Sequence, residues 1–219
     1  MSLHGIVFFD CDGVLTDNAS SWQHLHEYFR SYDNSYFAKL YEERKISYLD
    51  WMKIDIALMI NSWGKPIKFN EVEKAFKEIN LRSDAYYVIK TIKQMGFIVG
   101  VISSGIDVLV KKICKELSVD ICLYNELYFD EKGELIPGGK DWVPLLEKPF
   151  LIQKIAKGLG FTLDRVVYVG DSKWDIPVFR IVGLSVAIKP CNEACKEAKY
   201  TIDSLSDLIP VIKEYFNIN

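Results

Sequence analysis

Residues 5–9 read GIVFF, an unbroken apolar run, and two carboxylates, Asp10 and Asp12, follow at once. Such a run, rich in β-branched and aromatic residues, predicts a strand buried on both faces. From about Asn18 to Leu81 the rhythm becomes helical. Phe29, Tyr32, Tyr36, Phe37 and Leu40 recur at helical spacing, then Leu49, Met52, Ile56, Met59 and Ile60. WGKP at 63–66 breaks that second stripe. Asn70 with Glu73 three positions later predicts a capping box that opens a third helix. No strand pattern appears in this stretch.

The pattern changes again at Ser83. A helix to about Met95, closed by Gly96, precedes the buried strand FIVGVIS. A helix over about 106–117 leads to two strands, ICLYNELYFD and ELIPGG, joined by a turn at 130–133. A helix near 150–159, the apolar strand RVVYVGD, a helix over about 174–181 and the strand SVAI come next. The tail DSLSDLIPVIKEYF reads as a closing helix, with Pro210 the one residue that would interrupt its regularity. Buried strands alternating with helices of this length predict an α/β fold with a mainly parallel sheet covered on both faces. Such sheets bind ligands beyond the carboxyl ends of their strands. Three predicted strands end in polar groups there: Asp10, Ser103 and Asp171.

Composition narrows the partners. The chain has 219 residues, 49% of them hydrophobic, and a formal net charge of -3. That length suits one elaborated domain or two small ones. The acidic balance excludes the usual nucleic-acid binder. No apolar run is long enough to span a membrane, and no signal-peptide pattern is visible. Cys11, Cys114, Cys122, Cys191 and Cys195 are scattered without a disulfide framework, so a reducing cytoplasm is the expectation.

If the strand ends converge, Asp10, Asp12, Asp171 and Asp175 share one site. Several carboxylates in one place need a proton or a cation. An all-oxygen donor set favours Mg2+. Lys148 adds a fixed positive charge, Ser103 a hydroxyl, and the backbone N–H groups of Ser104 and Gly105, read as a helix start, a place for an anion. Together these make a cradle for a phosphoryl group. Asp10 would attack phosphorus, and Asp12, two residues on, would serve as acid and base.

The chain resembles the haloacid dehalogenase superfamily of phosphatases in four motifs that occur in the family's order. DCDGVLTD contains the first, Asp-x-Asp-Gly-x-x-Thr; VISSG is similar to the second; Lys148 stands where the third-motif lysine is expected; GDSKWD matches the fourth. The resemblance implies a three-layer Rossmann-like core formed by residues 1–16 and 82–219, with a small helical cap, residues 17–81, inserted after the first strand. It implies an Mg2+-dependent phosphomonoesterase with Asp10 as nucleophile and Asp12 as acid/base. Asp10, the backbone carbonyl of Asp12, and Asp171 would hold the metal, and Asp175 would complete or orient its shell. Ser103, Ser104, Gly105 and Lys148 would bind the phosphate.

The branch most similar is that of phosphoserine phosphatase, in its inserted helices and in EKPFLIQKIAKGLGF. The cap departs from that branch. Residues 18–22 read NASSW, with no glutamate for a substrate amine, and ISYLDWMKIDIALM supplies no arginine for a substrate carboxylate. Trp174 replaces the asparagine typical of the fourth motif. The implied substrate is a small phosphorylated metabolite, phosphoserine or another such as a sugar phosphate, phosphoglycolate or a nucleotide. Phosphotransfer and dehalogenation remain alternatives within the superfamily, although Asp12 would be superfluous to a dehalogenase. A monomer or homodimer in the cytoplasm is expected. The cap aromatics read first as core, with Trp22 and Trp51 as candidate pocket walls. His24 and His26 read as core or solvated histidines, and Cys11 as a small buried apolar residue.

Overall fold

The computed structural model describes residues 3–32 and 35–218. Its centre is strand β1 (Gly5–Phe9), flanked by β2 (Phe97–Ile106) and β5 (Val166–Gly170). With β3 (Ile121–Phe129), β4 (Leu135–Lys140), β6 (Leu184–Ile188) and β7 (Tyr200–Ile202), these form a seven-stranded sheet of order β4-β3-β2-β1-β5-β6-β7. Every pairing is parallel except β3 with β4. The chain winds outward from β1 in both directions, so the ends of β1 and β5 flank the switch point where a crevice forms.

The period of two along β1 divides the core. Val7 and Phe9 join a cluster with Val88, Leu109 and Leu208 on one face. Ile6 and Phe8 join Ile152 and Val178 on the other. The first layer therefore carries α5 (Ala85–Gln94), α6 (Asp107–Leu117) and α10 (Leu208–Phe216), and the second α7 (Lys148–Gly158) and α8 (Ile176–Phe179). Both faces of β1 are dry, which is why its sequence is continuously apolar.

Between β1 and α5 lie α1 (Ser21–Tyr28), α2 (Ser35–Glu42), α3 (Tyr48–Trp63) and α4 (Phe69–Ala75). The chain leaves and returns at adjacent points: Thr16 bridges Leu81, and Arg82 donates its backbone N–H to Leu15 O at 2.8 Å. α3 ends where WGKP predicts, with Gly64 in the left-handed region at φ 71°.

Several expectations are corrected in detail. The stripe over 29–40 is split, because Arg30 at φ 56° turns the chain out of α1 before α2 begins. The third-helix box uses Lys68 and Glu71, not Asn70 and Glu73: Lys68 N donates to Glu71 Oε2 at 3.0 Å. The start is fixed by the β3–β4 turn, where Phe69 N donates to Gly133 O at 3.0 Å. The three-residue β7 carries too little pattern to be read from sequence. Pro210 falls in the first turn of α10, where no helical N–H is lost.

The cysteines are not all unpaired. Cys114 and Cys122 form a disulfide with Cα atoms 6.2 Å apart, and Cys191 and Cys195 another at 5.1 Å. Ser118, left-handed at φ 51°, reverses the chain after α6 and lays Cys122 of β3 beside Cys114. Cys195 lies one turn after Cys191, to whose carbonyl its N–H donates. Cys11 is free and buried. No helix among the described residues is long and apolar enough to cross a membrane.

Candidate active site

Asp10 leaves β1 at the carboxyl edge, and Lys148, the first residue of α7, reaches it. Lys148 Nζ lies 2.5 Å from Asp10 Oδ2 and 3.0 Å from Asp175 Oδ1, with its side chain wholly buried. A buried ammonium is tolerable only with such partners. Burial works against its charge, but Asp10 and Asp175 outweigh it and raise its pKa.

Asp175 is fully engaged. Its Oδ1 accepts from Lys148 and, at 2.7 Å, from the Tyr168 hydroxyl. Its Oδ2 accepts from Asp171 N and Ser172 N, both at 3.1 Å, and from Ser172 Oγ at 3.0 Å. Burial opposes its ionisation, yet Lys148 and the Tyr168 hydroxyl hold its pKa below the usual carboxylate value.

Asp171 follows β5. Burial and the neighbouring Asp175 and Asp10 push it up to about 8. Burial raises Asp10 to about 6 against the pull of Lys148. Gly13, at φ 71°, makes this crowding possible: a Cβ there would run into the Asp171 carboxylate. One oxygen from each of Asp10, Asp171 and Asp175 lies within 4.8 Å of the others. Hard oxygen donors of this kind suit a small divalent cation bound at about 2.1 Å. The raised pKa values mark charge that a cation would relieve.

Asp12 points elsewhere. Its Oδ2 accepts from Ser21 N at 2.7 Å and Ser21 Oγ at 2.6 Å, while its buried Oδ1 has no hydrogen-bond partner. Burial raises its pKa against the lowering effect of those Ser21 bonds.

Ser103, Ser104 and Gly105 come together beside these acids, but not at a helix start. They belong to the irregular end of β2, where the register with β3 shifts between Ile102 and Ile106, and α6 begins only at Asp107. Gly105 N donates to Ser103 Oγ at 3.0 Å, and Ser104 Oγ is buried without a partner. The Ser104 carbonyl is bound from three sides: by Asn125 Nδ2 at 3.0 Å, Tyr48 OH at 2.9 Å and Trp22 Nε1 at 3.2 Å. The last two donors come from α3 and α1, so the inserted helices grip this segment directly.

All eight predicted site residues meet in one region. Asp10, Asp12, Ser103, Ser104, Gly105 and Asp171 line a cavity of about 540 Å³ roofed by α1 and α3, with Lys148 and Asp175 behind them. Sequence reading missed Ser21, Tyr168 and Asn125. The last two leave a faint signal, a hydroxyl and an amide inside otherwise buried strands. Ser21 leaves none.

The chain is similar to known proteins in sequence and in fold. The family model for haloacid dehalogenase-like hydrolases matches residues 5–183. The phosphoserine phosphatase of Methanocaldococcus jannaschii is 30% identical over 184 residues, which is 83% of this chain and 84% of that protein. The phosphoserine phosphatase of Lactococcus lactis is 31% identical over 136 residues, 60% of this chain and 61% of its own. A solved structure described as a phospho-aspartyl intermediate analogue of phosphoserine phosphatase superposes with TM-score 0.78 at 25% identity, covering 96% of this chain and 99% of its own. A substrate-bound phosphoserine phosphatase complex gives 0.79 at 26% identity, covering 94% and 97%.

Proposed function

Since the chain belongs to the haloacid dehalogenase-like hydrolase family, we propose that it is a phosphatase that hydrolyses small phosphate monoesters through an aspartyl-phosphate on Asp10. The observation that carries this reading is the buried Lys148, 2.5 Å from Asp10 Oδ2 and 3.0 Å from Asp175. A fixed positive charge beside a carboxylate at a strand's carboxyl end lets that carboxylate approach a phosphate dianion.

Asp10 attacks phosphorus, the P–O bond to the alcohol breaks, and Asp12 delivers a proton to the departing oxygen from the carboxyl oxygen that Ser21 leaves free. Asp12 then takes a proton from the water that cleaves the acyl phosphate, which restores Asp10 and releases inorganic phosphate. Ser103, with Ser104 and Gly105, positions the phosphoryl oxygens, and Lys148 neutralises them from below. Asp10, the backbone carbonyl of Asp12, and Asp171 would hold Mg2+. When bound, Mg2+ supplies charge neutralisation for the phosphoryl group. Asp175, whose oxygens are already taken, orients Lys148 and the Asp171 backbone rather than ligating directly.

In this reading residues 17–81 act as a cap on a core made of 1–16 and 82–219. The substrate is a soluble metabolite, the enzyme works in the cytoplasm as a monomer or homodimer, and phosphoserine, the substrate named for the relatives, is the first compound to assay. Phosphate release from p-nitrophenyl phosphate tests the reaction class: it should require Mg2+ and vanish in Asp10→Asn. Turnover that survives in that variant would refute it.

A further inference from the structure

Beyond the phosphate cradle, the cavity is walled by α1, by α3 and by the turn that follows β5. Each contributes aromatic side chains to the lining: Trp22, Tyr48 with Trp51, and Trp174. Trp51 lies 5.8 Å from Tyr48 with the rings inclined at 73°, and 6.4 Å from Trp174 with the rings at 45°. Rings inclined in this way make a corner, not a stack. Their polar atoms are committed elsewhere. Trp22 Nε1 and Tyr48 OH donate to the Ser104 carbonyl at 3.2 and 2.9 Å, and Trp51 Nε1 is buried. These three rings therefore offer the cavity carbon. Because Ser104 belongs to the cradle, the rings begin where the cradle ends, and the alcohol of a bound ester has to lie along them.

Charge narrows what this wall can take. Glu27, also on the lining, accepts from the Gln23 amide at 3.0 Å, a neutral donor that leaves its negative charge in place. Lys173 is ion-paired to Glu42 and stands 4.8 Å from the Trp174 ring centroid, so the aromatic wall already receives one cation. Among the described lining residues no arginine is present for the carboxylate of phosphoserine.

Hydrogen bonding narrows it further. A primary ammonium brings three donors, and the hydroxyls of a sugar bring donors and acceptors, all of which need partners out of water. On this wall Trp22, Tyr48 and Gln23 already have theirs, and His26 and Asp55 face each other at 3.3 Å. A quaternary ammonium donates nothing and is held by aromatic faces and nearby negative charge. The cavity, about 540 Å³, has room for it beside the phosphate.

We propose that the alcohol released carries a quaternary ammonium, as choline does, and that Trp51 and Glu27 are residues that select it, one by its ring and the other by its charge. This rests on the phosphatase reading above and assigns its substrate class. The two residues take no part in the chemistry at phosphorus; they hold the far end of the leaving group.

The test is kcat/KM with Mg2+ for phosphocholine, its neutral isostere with carbon in place of nitrogen (dimethylbutyl phosphate), phosphoethanolamine, O-phosphoserine and p-nitrophenyl phosphate. Phosphocholine should exceed the isostere, phosphoethanolamine and phosphoserine by about tenfold each, as expected for a cation held on desolvated rings. Trp51→Leu and Glu27→Gln should each bring the ratio of phosphocholine to its isostere toward one, mainly through KM, since the two leaving groups share one shape. Should those variants fail to fold, choline and dimethylbutanol as competitive inhibitors of the unaltered enzyme supply the comparison, and choline should inhibit at about tenfold lower concentration. Equal rates for phosphocholine and its isostere, or phosphoserine or phosphoethanolamine leading, overturn the inference, while Mg2+-dependent turnover of p-nitrophenyl phosphate leaves the hydrolytic reading standing. Absence of p-nitrophenyl phosphate turnover, together with no ester binding to Asp10→Asn by calorimetry, overturns both.

Discussion

Ser21 gives both its backbone N–H and its hydroxyl to the same oxygen of Asp12, at 2.7 and 2.6 Å. Ser21 is the first residue of α1, so an inserted helix holds the proposed acid/base of the core. The other Asp12 oxygen is buried and unpartnered, ready for a proton transfer. Asp12→Asn should lower kcat/KM, which reports formation of the phosphoenzyme, by about 10²–10⁴-fold for alkyl phosphates and far less for p-nitrophenyl phosphate, because nitrophenolate needs no proton to leave. Equal losses would count against this role. Ser21→Ala removes bonds that lower the Asp12 pKa, so the alkaline limb of the kcat profile should move upward and kcat for alkyl phosphates should fall.

Metal and pH are linked through Asp171 and Asp10. Their folded pKa values, about 8 and about 6, lie above the ordinary aspartate value of 3.8. The folded apo-protein therefore binds more protons than the unfolded chain between about pH 4 and 8. Stability present below pH 4 is lost as pH rises through that window. A divalent cation needs the ionised carboxylates, so it competes with those protons. Mg2+ should raise the melting temperature more at pH 8 than at pH 6. An equal increment at both would show that these acids do not govern the metal.

Tyr168 ties the charge cluster together from β5. Its hydroxyl donates to Asp175 at 2.7 Å and accepts from Lys148 at 3.3 Å, entirely buried. Tyr168→Phe leaves both partners short of one bond in a dry site. Denaturant unfolding should show a loss of about 1–3 kcal/mol, and kcat should drop as Lys148 loses its anchor. No change in either would mean that Lys148 and Asp175 hold one another unaided.

The inserted helices close on the phosphate cradle through Tyr48 and Trp22, which both donate to the Ser104 carbonyl. A closing cap would order the chemistry and exclude bulk water. Amide exchange in α1 and α3 should slow when a phosphate analogue binds, and Tyr48→Phe should speed it in the free protein. Exchange indifferent to both would describe a fixed roof.

The core chemistry was legible because short motifs keep neighbouring residues together: Asp10 and Asp12 follow the end of β1, and Asp171 and Asp175 follow the end of β5. The apolar runs of β1 and β5 mark themselves because both their faces are dry. What escaped depends on contacts between segments far apart in the chain. Ser21 meets Asp12 only after the chain has turned into α1, and His26 finds Asp55 across two helices. Ser104 and Gly105 were placed at a helix start because a register shift in β2 has no composition of its own. The Cys114–Cys122 pair depends on one left-handed residue, Ser118, which nothing in its side chain announces.

The most direct test of the account is to trap the phosphoenzyme. Protein quenched during turnover of a labelled phosphate ester with Mg2+ should carry label, and peptide mapping should place it on Asp10. The label should accumulate in Asp12→Asn, where hydrolysis of the intermediate lacks its base, provided the ester has a good leaving group. Steady Mg2+-dependent phosphate release with no label on Asp10 in either protein would contradict the account, since water would then be attacking phosphorus directly.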